Sequence, residues 1–129
     1  MPDNFFVEII SPDQSILKSE AVEATIPSYE GQIGILKDHV SLITFLRPGL
    51  IIIKTENDEK KFFIEEGIVE FKNNNLLILT STSKSLESLD KKLIDTIIKD
   101  SEEMISKEGI SDKEKYLLSH KLDTIRGIN

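Results

Sequence analysis

The sequence predicts an α+β protein, with an N-terminal antiparallel β-sandwich over residues 1–83 and an antiparallel two-helix hairpin over residues 84–129. Up to residue 83, short β-branched and aromatic segments recur about every ten residues, with turn residues between them. After residue 83, apolar residues recur three and four positions apart, which is the spacing of an amphipathic helix. Hydrophobic residues make up 39% of the 129 and charged residues 30%, as in a globular chain with a core.

Turn signals divide the first part of the chain into strands. The predicted strands cover residues 5–10, 14–18, 20–26, 32–36, 41–46, 50–55, 60–65, 67–72 and 76–82. Pro27 is expected to end the third strand. Gly34 lies inside the fourth and predicts a β-bulge or a close backbone approach there. The run Asn73–Asn75 predicts a turn with left-handed backbone geometry.

The second part of the chain predicts two helices. The first carries an apolar stripe and is expected to run for about twenty residues. The stripe consists of Leu86, Leu89, Leu93, Ile94, Ile97, Ile98 and Ile105. Gly109 is expected to end this helix. Ser111 and Glu114 form a capping box that opens the second helix, which ends near Gly127. Its apolar face carries Leu118, Leu122 and Ile125.

Three predicted strand segments are apolar on both faces, although an antiparallel sheet usually keeps one face polar. They are Leu50–Ile53, Phe62–Ile64 and Leu76–Leu79. At least one outer face is therefore expected to be covered. The helical hairpin or a partner subunit could cover it.

Composition excludes several functions. The net charge is −7, and residues 1–83 hold 13 acids against 7 bases, which argues against nucleic-acid binding. The chain has no cysteine, which excludes disulfides, thiol catalysis and cysteine-bound zinc. Its longest apolar runs are far shorter than the roughly 20 residues of a membrane span, and Met1–Asn4 does not resemble a secretory signal. A soluble chain is expected, which reaches a membrane only through a complex.

The sequence offers little for catalysis. His39 and His120 lie far apart and lack the neighbours of a metal motif. Adjacent carboxylates such as Glu65-Glu66 point to opposite faces of a strand and read as solvated charge. Residues 30–34 contain two glycines but no lysine for a phosphate. The sequence therefore predicts no enzyme, no metal and no cofactor.

One stretch resembles a known family. Residues 30–36 read Glu-Gly-Gln-Ile-Gly-Ile-Leu and are followed in order by His39, Ser41–Thr44 and Arg47–Gly49. This pattern resembles the ε subunit of F-type ATP synthase, and Phe63–Phe71 continues the likeness. The resemblance implies a β-sandwich with a helical hairpin, and a non-catalytic rotor subunit of the central stalk. Such a subunit binds γ and the membrane ring of c subunits, and meets the catalytic head transiently. It is peripheral on the cytoplasmic face of a bacterial inner membrane.

The resemblance also assigns roles to residues. The ring contact falls on Glu30, Gly31 and Gln32, and positions toward γ or the head are Ser11, His39 and Thr44. The family's hairpin is a switch that either lies against the sandwich or extends along γ and blocks ATP hydrolysis. The second helix is weakly basic in an acidic protein, which fits either a solvated face with i,i+4 charge pairs or a regulatory contact with an acidic partner. Its basic residues are Lys113, Lys115, Lys121 and Arg126.

The chain departs from the family pattern in several places. Lys37-Asp38 replaces a proline–glycine turn, which predicts a looser turn, and Gln32 replaces a common glutamate. Asp90 matches an ATP-binding motif of some members, but Leu93 stands where the arginine should be, so ATP binding is expected to be weak or absent. The short C-terminal end predicts weak or no inhibition by the tail. The alternative interpretation is a generic β-sandwich binding module with a helical oligomerisation tail, with a small enzyme a distant third.

Overall fold

Ten strands followed by two helices make up the chain in a computed structural model that describes residues 3–128. The strands are β1 Phe5–Ile10, β2 Ser15–Ala21, β3 Glu23–Ser28, β4 Gly31–Ile35, β5 Leu42–Leu46, β6 Gly49–Lys54, β7 Glu59–Ile64, β8 Gly67–Lys72, β9 Asn75–Leu79 and β10 Lys84–Ser85. The helices are α1 Lys91–Ile105 and α2 Asp112–Arg126, and a 3-10 turn at Leu86–Ser88 precedes α1.

The strands follow one hydrogen-bonded path around the core, in the order β10-β7-β6-β3-β5-β8-β9-β1-β2, with β4 paired to the outside of β3. β3 pairs with β6 over Glu23–Thr25 but meets β5 at the single pair Ser28 and Leu46. That short contact is the corner where the path passes from one layer of the sandwich to the other. The predicted fold class, a β-sandwich with a helical hairpin, is confirmed.

One strand pairing differs from the antiparallel expectation. β1 pairs with β9 in parallel, from Phe6 opposite Asn75 to Ile10 opposite Leu79. Both strands bury alternate residues in the same core, so the pairing keeps the hydrophobic alternation of each strand. The relative direction of β1 and β9 is set by the path of the chain between them, and local residue patterns do not predict that path.

The main core fills the space between the two layers. Inward-facing residues of β1, β8 and β9 are almost completely buried, and the Phe5 and Phe71 rings meet edge to face at 5.8 Å. The largest fully buried side chains of this core are Phe5, Phe71, Ile9, Ile26, Ile35, Leu46, Ile51, Ile53, Ile64, Leu76 and Ile78. Burial of this apolar surface is the main favourable contribution to folding.

Two expectations about β3 and β4 are wrong. Pro27 does not end β3, because its carbonyl accepts a hydrogen bond from the Arg47 N–H at 3.0 Å and the strand continues to Ser28. Gly34 is neither a bulge nor a close approach: β3 and β4 pair in unbroken register, and a Cβ at Gly34 would meet nothing within 4 Å. The close approach occurs at Gly49, where a Cβ would lie 2.5 Å from Cβ of Pro27.

The turns at one end of the sandwich are tied together. Asn73 and Asn74 have φ of 51° and 59°, which confirms the predicted left-handed turn. Asp38 also has a positive φ, 66°, and its side-chain oxygen accepts from the Asn74 amide at 2.9 Å. The Asn74 side-chain oxygen in turn accepts from the Asp38 N–H at 2.7 Å. The turn that was expected to be loose is therefore fastened to the β8–β9 turn.

The first helix is shorter than expected, 15 residues instead of about twenty. Lys84 and Ser85 pair with β7, and Asp90 caps α1 by accepting from the Leu93 N–H at 2.8 Å. Leu86 and Leu89 therefore precede the helix, and they pack onto the sandwich instead. Leu86 and Leu89 have the spacing of a helix. The α-helix nevertheless begins only after them, because Lys84 and Ser85, just before Leu86, are held in an extended conformation by pairing with β7.

The start and end of α2 lie where the sequence predicts them, whereas α1 ends earlier than its predicted stop at Gly109. α1 ends at Ile105, before Gly109, which lies in the connecting loop with φ of 84°. The capping box of Ser111 and Glu114 is present at the start of α2, as predicted. Gly127 forms the C-cap of α2.

The hairpin lies against the outer face of β6 and β7. A second hydrophobic cluster joins Phe63 of β7 to Leu89, Ile94 and Ile125, with Leu50 of β6 packed at its edge. The hairpin thus packs against the sandwich, an arrangement called compact below, and it covers one of the outer faces that were expected to be apolar.

Candidate functional site

The β3–β4 turn brings together the predicted ring-contact residues Glu30, Gly31 and Gln32. Ser28 organises this turn: its hydroxyl accepts from the Glu30 N–H at 3.1 Å and donates to the Gly31 carbonyl at 2.7 Å. Ser28 itself is fully buried, so the turn is anchored in the core. Gly31 has φ of 121°, a conformation that favours glycine.

The tip of the turn faces solvent. The Glu30 and Gln32 side chains are exposed, and Gly34, two residues after Gln32 on the same exposed side of β4, adds no side chain there. β4 pairs with β3 and lies off the main strand path, so it forms an edge of the sandwich. A carboxylate, an amide and bare backbone at an exposed edge suit contact with another protein surface.

A second surface lies on the outer face of β1, β5, β8 and β9. Large apolar side chains are exposed there: Phe6 (59%), Ile43 (71%), Phe45 (61%), Ile68 (41%) and Leu79 (43%). We call these five residues the apolar face. Three of them form a row across neighbouring strands, because Phe45 lies opposite Ile68 and Ile68 lies opposite Leu79. Exposed apolar patches of this kind mark protein interaction sites.

The sequence predicts only one residue of the apolar face, Leu79, which lies in the segment Leu76–Leu79 that is apolar on both sides. The other four members are not predicted: Phe6, Ile43, Phe45 and Ile68. The signal was available, because β5 reads Leu-Ile-Thr-Phe-Leu and is apolar in both phases of its alternation.

The predicted contact residues Ser11, His39 and Thr44 do not form one cluster. Ser11 follows Ile10, the last residue of β1, which lies opposite Leu79, and the Ser11 hydroxyl donates to the Gln14 carbonyl at 3.2 Å in a small turn. His39 lies at the opposite end of the strands, where its ring meets the Phe71 ring edge to face at 5.9 Å. Thr44 is half-buried in the middle of β5, in the alternation phase opposite to the exposed residues of that strand.

The four basic residues predicted on α2 also have different surroundings. Lys121 forms an ion pair with Glu65 of the sandwich at 2.8 Å, and Arg126 pairs with Glu102 of α1. Lys113 and Lys115 are exposed in the first turns of α2. Two of the four are therefore engaged in holding the compact hairpin.

A small aromatic cluster connects α2 to the β3–β4 turn. The Tyr116 ring stacks on the Tyr29 ring with centroids 6.0 Å apart, and the Tyr116 hydroxyl donates to the Tyr29 carbonyl at 3.3 Å. His120 meets the Tyr116 ring edge to face at 4.5 Å. Burial, and then the nearby Arg47 guanidinium, lower the pKa of His120, although Asp123 acts in the opposite direction.

The described residues 3–128 offer little else for chemistry. They contain no group of three or more His, Asp or Glu side chains that could hold a metal ion. One carboxylate oxygen of Asp90 caps α1 by accepting a hydrogen bond from the Leu93 N–H. None of the helices in this part of the chain is both long and apolar enough to cross a membrane.

Comparison with known proteins decides the family. The family model described as the ATP synthase, Delta/Epsilon chain, beta-sandwich domain matches residues 4–85. The ATP synthase epsilon chain of Pelagibacter ubique is 42% identical over the full length of both chains. The chain belongs to the ATP synthase epsilon chain family. The chloroplastic epsilon chain of Guillardia theta is 31% identical and covers 93% of this chain and 91% of its own.

Solved structures share the epsilon-chain fold. A chain of the Euglena gracilis mitochondrial ATP synthase matches with a TM-score of 0.82 at 17% identity, over 98% of this chain and 82% of its own. A chain of the central stalk and c-ring of the Tetrahymena thermophila enzyme matches with a TM-score of 0.63 at 16% identity, over 95% and 92%. Within the epsilon chain, the matched sandwich holds both surfaces described above, and the hairpin follows it.

Proposed function

We propose that this chain is a non-catalytic rotor subunit of an F-type ATP synthase, which joins the γ subunit to the membrane ring of c subunits. The observation that carries the proposal is the apolar face: five large apolar side chains stay exposed on a sandwich whose other outer face is covered by its own hairpin. An interface that transmits torque needs a large, closely packed apolar contact. The γ subunit is the proposed occupant of this face.

The ring contact is proposed for the β3–β4 turn. Glu30 and Gln32 are exposed on a turn whose backbone is fixed by Ser28, so the tip keeps its shape while its side chains face outward. Gln32 offers hydrogen bonds without the charge that a glutamate would bring. Ser11, His39 and Thr44 are proposed toward γ or the catalytic head, in three separate places.

The hairpin is proposed to act as a switch that alternates between this compact position and an extended one along γ. Extension would break the Lys121–Glu65 pair and expose Ile94 and Ile125, so the compact form is favoured in the isolated chain. Extension would release Lys121 from Glu65 and bring it, with Arg126 and the already exposed Lys113 and Lys115, toward acidic surfaces of the head. We expect inhibition of hydrolysis by the hairpin to be weak or absent.

ATP is not proposed as a ligand. Asp90 matches the family's ATP motif, but Leu93 replaces the arginine of that motif, and the Asp90 carboxylate caps α1 by accepting from the Leu93 N–H. The proposed location is peripheral, on the cytoplasmic face of a bacterial inner membrane as part of the enzyme. The buried apolar residues of the hairpin, Ile94 and Ile125, pack against the sandwich, so this part of the tail is not available for oligomerisation in this arrangement.

The test replaces Phe45, the aromatic member of the row across three strands, with alanine. Large aromatic anchors at interface centres commonly cost 2 kcal/mol or more when truncated, so binding to purified γ should weaken roughly 30-fold or more. Met104→Ala is the matched control, because Met104 is also apolar and exposed (41%) but lies on α1. Equal affinities of the two variants for γ, or no binding of γ by the unmodified chain, would contradict the proposal.

The tail is tested separately in the reconstituted enzyme. ATP hydrolysis is compared between the full chain and a chain that ends at Ser83. We expect similar rates, whereas a several-fold increase on truncation would refute weak inhibition. A calorimetric titration of the full chain with ATP should show no binding below millimolar concentrations.

A further inference from the structure

The compact hairpin touches the proposed ring-contact turn through Tyr116. This residue provides two contacts at once, a ring stacked on the Tyr29 ring with planes 11° apart, and a hydroxyl that donates to the Tyr29 carbonyl at 3.3 Å. Tyr29 is the residue immediately before Glu30. A side chain of α2 therefore contacts both the side chain and the backbone at the start of the turn.

The two sides of the turn are held by different parts of the chain. On the inner side, Ser28 is buried and binds the Glu30 N–H and the Gly31 carbonyl, and the Tyr29 N–H donates to the Phe45 carbonyl at 3.3 Å. On the outer side, the Tyr29 ring and carbonyl meet Tyr116. The order of the exposed tip thus depends on the sandwich and on α2 together.

The position of Tyr116 depends on the docking of α2. His120 packs edge to face against its ring at 4.5 Å, one turn further along the helix, and Lys121 is paired with Glu65 of the sandwich at 2.8 Å. When α2 leaves the sandwich, the stack and the hydrogen bond to Tyr29 are lost in the same step.

We propose that Tyr116 is a positioning residue for the ring contact, so that the docked hairpin and an ordered β3–β4 turn stabilise each other. The inference rests on the proposed function, in which this turn meets the ring. Because coupling between two sites is reciprocal, ring binding at Glu30–Gln32 favours the compact hairpin, and extension of the hairpin weakens the grip on the ring. The position of the hairpin thereby affects binding to the ring at the membrane end, in addition to its contacts along γ.

Hydrogen exchange of the Glu30 amide in the full-length chain tests the coupling without any partner. Loss of an aromatic pair shifts an equilibrium about two- to tenfold, so Tyr116→Ala should speed this exchange by that factor. Tyr116→Phe keeps the ring and should give a smaller increase. Ser119→Ala, an exposed change on the same helix, should leave the rate unchanged. An unchanged Glu30 rate in Tyr116→Ala would overturn the proposal.

Ring binding is measured in a second arm, with a γ–ring complex stripped of its own epsilon chain. Tyr116→Ala should bind it about two- to tenfold more weakly than the unmodified chain. Equal affinities would overturn the link between Tyr116 and the ring. If the unmodified chain does not bind this complex, the proposed function fails, while the exchange result on the isolated chain stands independently.

Discussion

Replacing Ile125 with alanine should release the helical hairpin while leaving the sandwich folded. The Ile125 side chain is completely buried, and it contacts the cluster that joins α1 and α2 to Phe63 of β7. The substitution removes three carbons and leaves a cavity between the hairpin and the sandwich. Such Ile→Ala changes cost about 2–5 kcal/mol.

If the hairpin opens as a unit separate from the sandwich, the full free-energy cost of Ile125→Ala lowers the stability of the docked hairpin. Each 1.4 kcal/mol is about a factor of ten, so the opening of the hairpin should become roughly 30-fold to several thousandfold more favourable. Hydrogen exchange followed by peptide-resolved mass spectrometry measures this directly. Amides of α1 and α2 should exchange faster by that factor, while those of β8 and β9 keep their protection.

Ile51→Ala is the matched control. Ile51 is also fully buried, but it belongs to the main core between the layers. Its loss should lower the free energy of unfolding of the whole chain, and protection in β8 and β9 should fall. If Ile125→Ala gives the same pattern as Ile51→Ala, or leaves α1 and α2 unchanged, the argument for a separately docked hairpin is refuted.

Three further predictions concern other parts of the molecule. Docking of α2 should weaken as pH falls below about 6.5, because His120 in the undocked helix takes up a proton at its ordinary pKa, whereas the lowered pKa of the docked form keeps it neutral. The loss of docking stability levels off below the docked pKa. His120→Gln should remove the pH dependence of hydrogen exchange in α2. Gly67→Ala should lower the free energy of unfolding by about 1–3 kcal/mol, because the new Cβ would lie 2.7 Å from a backbone oxygen, whereas Gly34→Ala in open space should change it by less than about 0.5 kcal/mol in urea denaturation. Ser111→Ala should cost about 0.5–2 kcal/mol through loss of the capping box, measured as faster exchange in the first turn of α2, and Ser111→Gly should cost less.

The sequence identified most elements of this fold because local physics decides them. Period-two alternation marks the strands, asparagines supply the left-handed β8–β9 turn, and the capping box of Ser111 and Glu114 opens α2. The exposed positions of Glu30 and Gln32 also follow from a turn between two short strands. These features depend on neighbours within a few residues, which a sequence displays directly.

Other features depend on which distant segments meet, and the sequence left them undetermined. The turn of Leu86–Ser88 is not part of α1 because Lys84 and Ser85 pair with β7, and β1 runs parallel to β9 because of the path between them. Only the tertiary structure assigned the hairpin to the outer face of β6 and β7 and left the apolar face open. Tyr29 and Tyr116 lie 87 positions apart, and each reads locally as a surface aromatic residue. Their contact exists because burial of Ile94 and Ile125 places α2 beside the β3–β4 turn, and long-range packing of this kind has no signature in local periodicity.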